Sequence, residues 1–144
     1  MIIRAITSAD ITIISRWFQY RRWPLPPVEN VMPRDGFVAC HDDGTLLACA
    51  WLYSTGSSKA EVSWMNMNPD VEEDVAKAAL LAVVEWIQKA VSYSDPPIRL
   101  LVSFTDDEQV IRSLESLGFR IRYGYARLTW TAPEKSKDEP ITAA

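Results

Sequence analysis

The chain has little of what nucleophilic, metal-dependent or membrane chemistry usually requires. Among 144 residues there is one histidine and two cysteines. Cys40 and Cys49 flank the turn Asp42-Asp43-Gly44-Thr45. With Asp43-Gly44 as a two-residue loop, Cys40 pairs with Leu47 and Cys49 with Val38. The cysteines then share a face but sit diagonally, about 7 Å apart, too far for a disulfide. Two buried, reduced thiols are expected. A nucleophilic cysteine needs an environment that lowers its pKa, and His41 lies on the turn side of Cys40, which argues against a Cys/His pair. No metal-ligand set is expected. No apolar run approaches the ~18 residues that span a bilayer. The start, Met1-Ile2-Ile3-Arg4, lacks the features of a signal peptide. The expectation is a cytoplasmic protein without a membrane partner. Basic charge is also short: the net charge is −4 and the pI about 5.0. That argues against general nucleic-acid binding, which relies on a basic footprint. Arg16, Arg21 and Arg22 form one basic cluster.

What the chain does have is core material. Hydrophobic residues make up 48% of it, with six tryptophans, so a packed domain over residues 1–132 is expected. The tail 133–144 is mostly Glu, Lys, Ser, Asp and Pro and is expected to be disordered. Residues 2–6 read as a strand. Thr7 or Ser8 then caps a helix to about Tyr20, on which Ile11, Ile14, Trp17 and Phe18 recur at helical spacing. Trp23-Pro24-Leu25-Pro26-Pro27 begins an extended connector. A hairpin over 37–40 and 46–53 leads to a strand over 60–67. A helix over 71–91 follows, its apolar face expected at Val75, Ala79, Ala82, Val83, Trp86 and Ala90. Residues 98–104 read as a buried strand. A helix from Asp106 or Asp107 to Leu117 is closed by Gly118. A last strand covers 120–130. This order predicts an α/β fold with a mixed central sheet of six or seven strands flanked by helices.

Three local patterns make the chain resemble the GCN5-related N-acetyltransferase superfamily. Met67-Asn68-Pro69 is similar to the Val-x-Pro that ends its fourth strand. The following helix, with Ala79-Leu80-Leu81, is similar to its central helix. Asp107 to Val110 and Leu117-Gly118-Phe119 are similar to its late Asn-x-x-Ala…Leu-Gly-Phe block. The resemblance implies strands 60–67 and 98–104 as parallel neighbours. It also implies acetyl-CoA as cofactor, held by the backbone of Trp64, Met65, Asn66 and Met67 and by the helix start around Ala76 and Lys77. In the family a glycine-bearing connector brings backbone N–H groups to the pyrophosphate at the helix N-terminus. Here the connector is Glu72-Glu73-Asp74-Val75-Ala76-Lys77, without glycine and with three carboxylates. Asp70-Val71-Glu72-Glu73 also fits a capping box, with Asp70 accepting from the N–H of Glu73. Both features predict weak CoA binding or none.

Glu61 in Ala60-Glu61-Val62 resembles the glutamate base of histone-type acetyltransferases, which takes a proton from the incoming ammonium. The alternative is an exposed strand carboxylate. The family's frequent Tyr general acid falls at Leu114, which cannot donate a proton, while Tyr123 and Tyr125 lie on the last strand. Arg21, Arg22 and Trp23 fall where the family binds its acceptor, and they suit contact with a small-molecule amine or a protein partner. Two functions stand side by side: an N-acetyltransferase acting on an amine, or a catalytically degenerate member that binds a partner. The small size and Trp-Pro loop are similar to divergent members carried by tailed phages and prophages.

Overall fold

A computed structural model describes residues 1–25, 35–54 and 58–121. Strand β1 (Ile2–Ala5) is followed by helix α1 (Ser8–Arg21), β2 (Gly36–Cys40), β3 (Leu46–Ser54) and β4 (Lys59–Met67). Helix α2 (Glu73–Ser92), the short β5 (Leu100–Val102) and helix α3 (Glu108–Ser116) complete the described chain. The strands form one sheet in sequence order. β1 to β4 pair antiparallel. β5 then runs parallel to β4, with Lys59 to Glu61 facing Leu100 to Val102. Parallel pairing requires a crossover connection, and α2 supplies it. The mixed α/β class and the parallel β4–β5 pair are as the sequence predicts. Among the described residues the sheet has five strands. Of the strand expected over 120–130, only Arg120 and Ile121 are described, and neither is in a strand; its remainder and the tail 133–144 lie outside the described residues.

Each sheet face carries a core. On one, α2 packs Ala76, Leu80, Val83, Ile87 and Val91 against Ala48, Ala50, Val62 and Met65. The buried stripe is rotated from the expected one: Ala90 is exposed, and Trp86, 39% exposed, lies against Phe37 with ring centroids 4.6 Å apart. Several phases of this Ala/Leu/Val-rich helix are apolar enough to bury, so packing against β3 and β4 selects the one that keeps Leu80 and Ile87 inside. On the other face Ile14, Trp17 and Phe18 of α1 cover Val38, Cys49 and Trp51.

The start of α1 is tied to β1 by Asp10, which is only 6% exposed. Its carboxylate accepts from the Thr7 N–H at 2.8 Å and the Thr7 hydroxyl at 3.0 Å. It also takes two bonds from the Arg4 guanidinium, at 2.6 and 2.9 Å. Those Arg4 bonds hold the Asp10 carboxyl below its usual range, against the effect of burial. At the other end Arg22 adopts a left-handed conformation with φ 57°. Its N–H bonds to the Gln19 carbonyl, and the Trp23 N–H reaches back to the Phe18 carbonyl at 3.0 Å. This is a Schellman turn, closed by contact between Phe18 and Trp23.

Two expectations about strands are corrected. The hairpin loop is longer than Asp43-Gly44: His41 donates its N–H to the Thr45 carbonyl, and Gly44 takes φ 90°. The left-handed glycine adds a residue to the turn. Cys40 therefore faces Leu46 rather than Leu47, while Cys49 faces Val38 as expected. Both cysteines are free and buried. β5 is shorter than the strand expected over 98–104 and only partly covered, with Leu100 53% exposed.

Candidate functional site

β4 changes character halfway along. Over Lys59–Glu61 it is paired on one side with β5 and, from Ala60, on the other with β3. At Trp64 the backbone turns left-handed, with φ 53°. The register then skips: Ser63 faces Trp51, but Asn66 faces Cys49. One extra residue is thus accommodated in a β-bulge. A tryptophan in this conformation costs about 1–2 kcal/mol. Its side chain is held firmly, with the indole N–H donated to the Tyr53 hydroxyl at 2.7 Å and the ring edge-on to Phe18 at 6.2 Å. β5 ends opposite the start of this region, so beyond Glu61 the outer edge of β4 has no ladder partner among the described residues. Free strand N–H and C=O groups of this kind can bind an extended ligand.

Two clefts open along the bulged half of β4. The first, of about 180 Å³, is walled by Phe18, Trp23, Trp64 and Met65 and by Asp106 and Asp107 in the loop before α3. Phe18 meets Trp23 and Trp64 edge-on, each at 6.2 Å. Asp107 also caps α3, its Oδ1 accepting from the Val110 N–H at 3.0 Å.

The second cleft, of about 220 Å³, lies at the end of β4 between Arg21, Met67, Asn68, Ala76 and Gln109. Arg21 Nε donates to Asn66 Oδ1 at 2.7 Å and Nη2 to the Met67 carbonyl at 3.3 Å. Its guanidinium carbon lies 5.3 Å from the Trp23 ring centre. Neutral groups therefore orient Arg21, and it forms no salt bridge among the described residues. Asn66 is 1% exposed, and its Oδ1 also accepts from the Met67 N–H. Two donors on one oxygen fix the amide orientation and leave Nδ2 without a partner among the described residues.

Helix α2 begins beside this cleft, and its start corrects another expectation. Glu72 is at the cap, and no side chain caps the helix. Asp70 is held outside it because Asn68 Oδ1 accepts the Asp70 N–H at 2.9 Å. Asn68 is itself anchored to the Leu46 and Leu47 carbonyls. This Asx turn competes with the capping box and prevails. The acids are also partly matched: Glu73 pairs with Lys77 at 2.6 Å and accepts from Gln109 at 2.8 Å. The Lys77 bond holds the Glu73 carboxyl below its ordinary range.

Of the residues singled out from sequence, Trp23, Trp64 and Met65 meet at the first cleft, and Arg21, Met67 and Ala76 at the second. Asn66 stands behind Arg21, Lys77 is engaged by Glu73, and Arg22 is exposed. Glu61 is half-buried on the regular half of β4, facing Tyr53 and Val102, and is not a wall residue of either cleft. Burial pushes the Tyr53 phenol up. Burial also pushes the Cys49 thiol well above its usual range, which suits an inert core residue. Leu114 is in the core, and Tyr123 and Tyr125 fall outside the described residues. Phe18, Tyr53, Asp106 and Asp107 were not legible as site residues. Aromatics on a helical face or a strand read as packing, and an acid before a helix reads as a cap. Among the described residues no group of His, Cys, Asp and Glu is arranged to hold a metal, and no helix is long and apolar enough to cross a membrane.

No protein-family model and no curated protein matches the sequence. Solved structures do match the fold. A Thermus thermophilus protein superposes with a TM-score of 0.64 at 17% identity, covering 95% of this chain and 99% of its own. A GNAT-family acetyltransferase of Streptococcus pneumoniae gives 0.56 at 12% identity, covering 94% and 97%. A Mycobacterium tuberculosis protein solved in complex with CoA gives 0.57 at 14% identity, covering 82% and 70%.

Proposed function

On the premise that the chain has the fold of the GCN5-related N-acetyltransferases, we propose that it moves an acetyl group from acetyl-CoA to an amine. One observation carries the reading: the bulged half of β4, whose outer edge has no ladder partner among the described residues, ends in a cleft that favours an anion. Arg21, the uncapped start of α2 and the Glu73 side chain, itself paired with Lys77, line that cleft. A unit charge ~5 Å from a phosphate at an effective dielectric near 20 attracts it by about 3 kcal/mol, of which desolvation cancels roughly half. Arg21 supplies this attraction, while Lys77 offsets the matching repulsion from Glu73. The helix dipole adds to it. The residues present thus suit a pyrophosphate better than the connector sequence implies, although no glycine loop wraps it. The outer edge of β4 from Trp64 to Met67, where Asn66 and Arg21 already engage the Met67 N–H and C=O, would run beside the pantetheine arm and hold it. Bound there, acetyl-CoA supplies the thioester that an amine attacks and the thiolate that leaves.

The chain's part in the chemistry is proton handling. We assign Glu61 as acceptor of the amine's proton, since it is half-buried on the strand that carries the bulge. Tyr53, on the neighbouring strand, is the donor that Leu114 cannot be. Its oxygen already accepts from Trp64, and its proton is retained because burial disfavours the phenolate. Calorimetric titration of acetyl-CoA into the purified protein tests this reading. The expected result is micromolar affinity, and no binding at millimolar ligand would sink it.

A second reading has its own support. Leu114 fills the core where the resemblance places a general acid, and Glu61 is outside both cleft walls. Under it the protein binds a partner through Arg21, Arg22 and Trp23 without transfer. Trp23→Ala would then weaken that partner by ~2 kcal/mol, Glu61→Gln would leave it unchanged, and no variant would turn over.

A further inference from the structure

We propose that the aromatic cleft is a cation subsite, and that the acceptor carries a second positive group in addition to the amine that is acetylated. The acceptor half of this inference rests on the transferase reading; the subsite rests on the cleft alone.

Four aromatic side chains line the cleft, Phe18, Trp23, Trp64 and Phe104, with Phe18 edge-on to both indoles. Trp64 has spent its single donor on Tyr53, so it offers the cleft only carbon and π surface. The faces of such rings attract cations. The facing loop adds the carboxylates of Asp106 and Asp107. Among the described residues no lysine or arginine is a wall residue. Arg21 lies over Trp23 but directs its N–H groups to Asn66 and Met67, at the other cleft. An anion would meet two carboxylates here, and a neutral ligand could donate a hydrogen bond to them but would gain no charge attraction. Only a cation is stabilised by both the rings and the acids.

The size is that of a small organic cation. About 180 Å³ corresponds to roughly six water molecules at ~30 Å³ each. The charge recognised cannot be that of the attacking nitrogen. Surroundings that stabilise an ammonium raise its pKa, and an amine held protonated has no lone pair to attack a thioester. The rings and acids therefore suit a second charge, quaternary or ammonium, elsewhere on the acceptor.

The subsite is tested without CoA, using choline and its neutral isostere 3,3-dimethylbutan-1-ol, with binding followed by tryptophan fluorescence. Choline is expected to bind at least ~10-fold more tightly than the alcohol. The double variant Asp106→Asn/Asp107→Asn should lose ~5-fold or more of the choline affinity and none for the alcohol. Asparagine preserves the α3 cap, and a thermal melt of the variant checks the fold. Equal binding of the two probes, or unchanged choline binding in the double variant, would overturn the subsite. In transfer assays 1,4-diaminobutane should show a lower KM than 1-aminobutane, a gap that closes in the double variant. Equal KM values in the wild type would overturn the acceptor assignment. A parallel titration of acetyl-CoA reports on the transferase reading separately, since choline binding does not depend on it.

Discussion

The two clefts along β4 differ little in size, about 180 and 220 Å³, and their wall residues on the strand are neighbours. Trp64 and Met65 belong to one, and Met67 to the other. Yet one is built of rings and carboxylates, while the other has a guanidinium, a helix N-terminus and a single carboxylate, Glu73, already paired with Lys77. The divergence arises at the Schellman turn that ends α1. Residues 21 and 23 leave that turn in different directions, so Arg21 faces the second cleft and Trp23 the first. The comparison shows that net charge is a poor guide to a site. The chain is acidic overall, but Glu73 beside the second cleft is matched by Lys77, while Arg21 forms no salt bridge among the described residues. Pairing, more than composition, decides which charge a ligand meets.

This contrast can be broken or sharpened by four measurements. The largest effect is expected from Glu61→Gln, which removes a proton acceptor but keeps the shape. Turnover should fall ~100-fold or more, while acetyl-CoA and choline affinities stay unchanged, because Glu61 lines neither cleft. A loss of binding would show that Glu61 belongs to a wall.

Next is Asp10→Asn, which should lower stability by about 2 kcal/mol through loss of charge-assisted bonds to Arg4, measured by urea unfolding. Because α1 and the turn that ends it supply Phe18, Arg21 and Trp23, this variant should weaken both ligands alike, whereas cleft variants should separate them. The same pair sets an acid limit. The Asp10 carboxyl lies below its ordinary value in the fold, so its contribution is complete at neutral pH. It begins to decline below about pH 4 and is lost as pH falls through the folded-state value. An unfolding curve in acid that is identical for wild type and Asp10→Asn would contradict this.

Arg21→Gln should cost ~10-fold in CoA affinity and nothing in affinity for pantetheine, which lacks the pyrophosphate. The salt dependence of CoA binding should flatten in the variant. Equal losses for CoA and pantetheine would mean that Arg21 acts on the arm rather than the phosphates. The smallest change is expected from Glu72→Gln with Glu73→Gln, which should tighten CoA by roughly 3-fold at low salt and less at high salt.

Much of the frame could be read from local pattern. Strand 60–67, the helix after it and a strand over 98–104, observed over 100–102, follow from apolar runs and punctuation at Asn68-Pro69 and Asp95-Pro96, and the family resemblance supplies their parallel pairing. The features that make the clefts are less local. Arg21 meets Asn66 across 45 residues of sequence, and no spacing rule connects them. The left-handed Trp64 is hidden because tryptophan gives no signal for positive φ, unlike Gly44 or Gly118. The capping box at Asp70 was a sound local reading, defeated by a competing bond from Asn68 that is anchored on β3. The phase of α2 was ambiguous because the helix has several apolar faces, and only the sheet beneath it could select one.

Arg21 is shared between the two clefts, since its guanidinium stacks on a ring of one and lines the other. A diphosphate that draws this group away from Trp23 would expose more of the indole face to a cation. A ligand pressing on Trp23 would in turn alter how far the guanidinium can reach. Thermodynamic linkage requires the two effects to be equal. Whatever factor the anion adds to the cation's affinity, the cation returns to the anion's. If that factor exceeds one, the two ligands accumulate together on the protein more often than independent binding would allow.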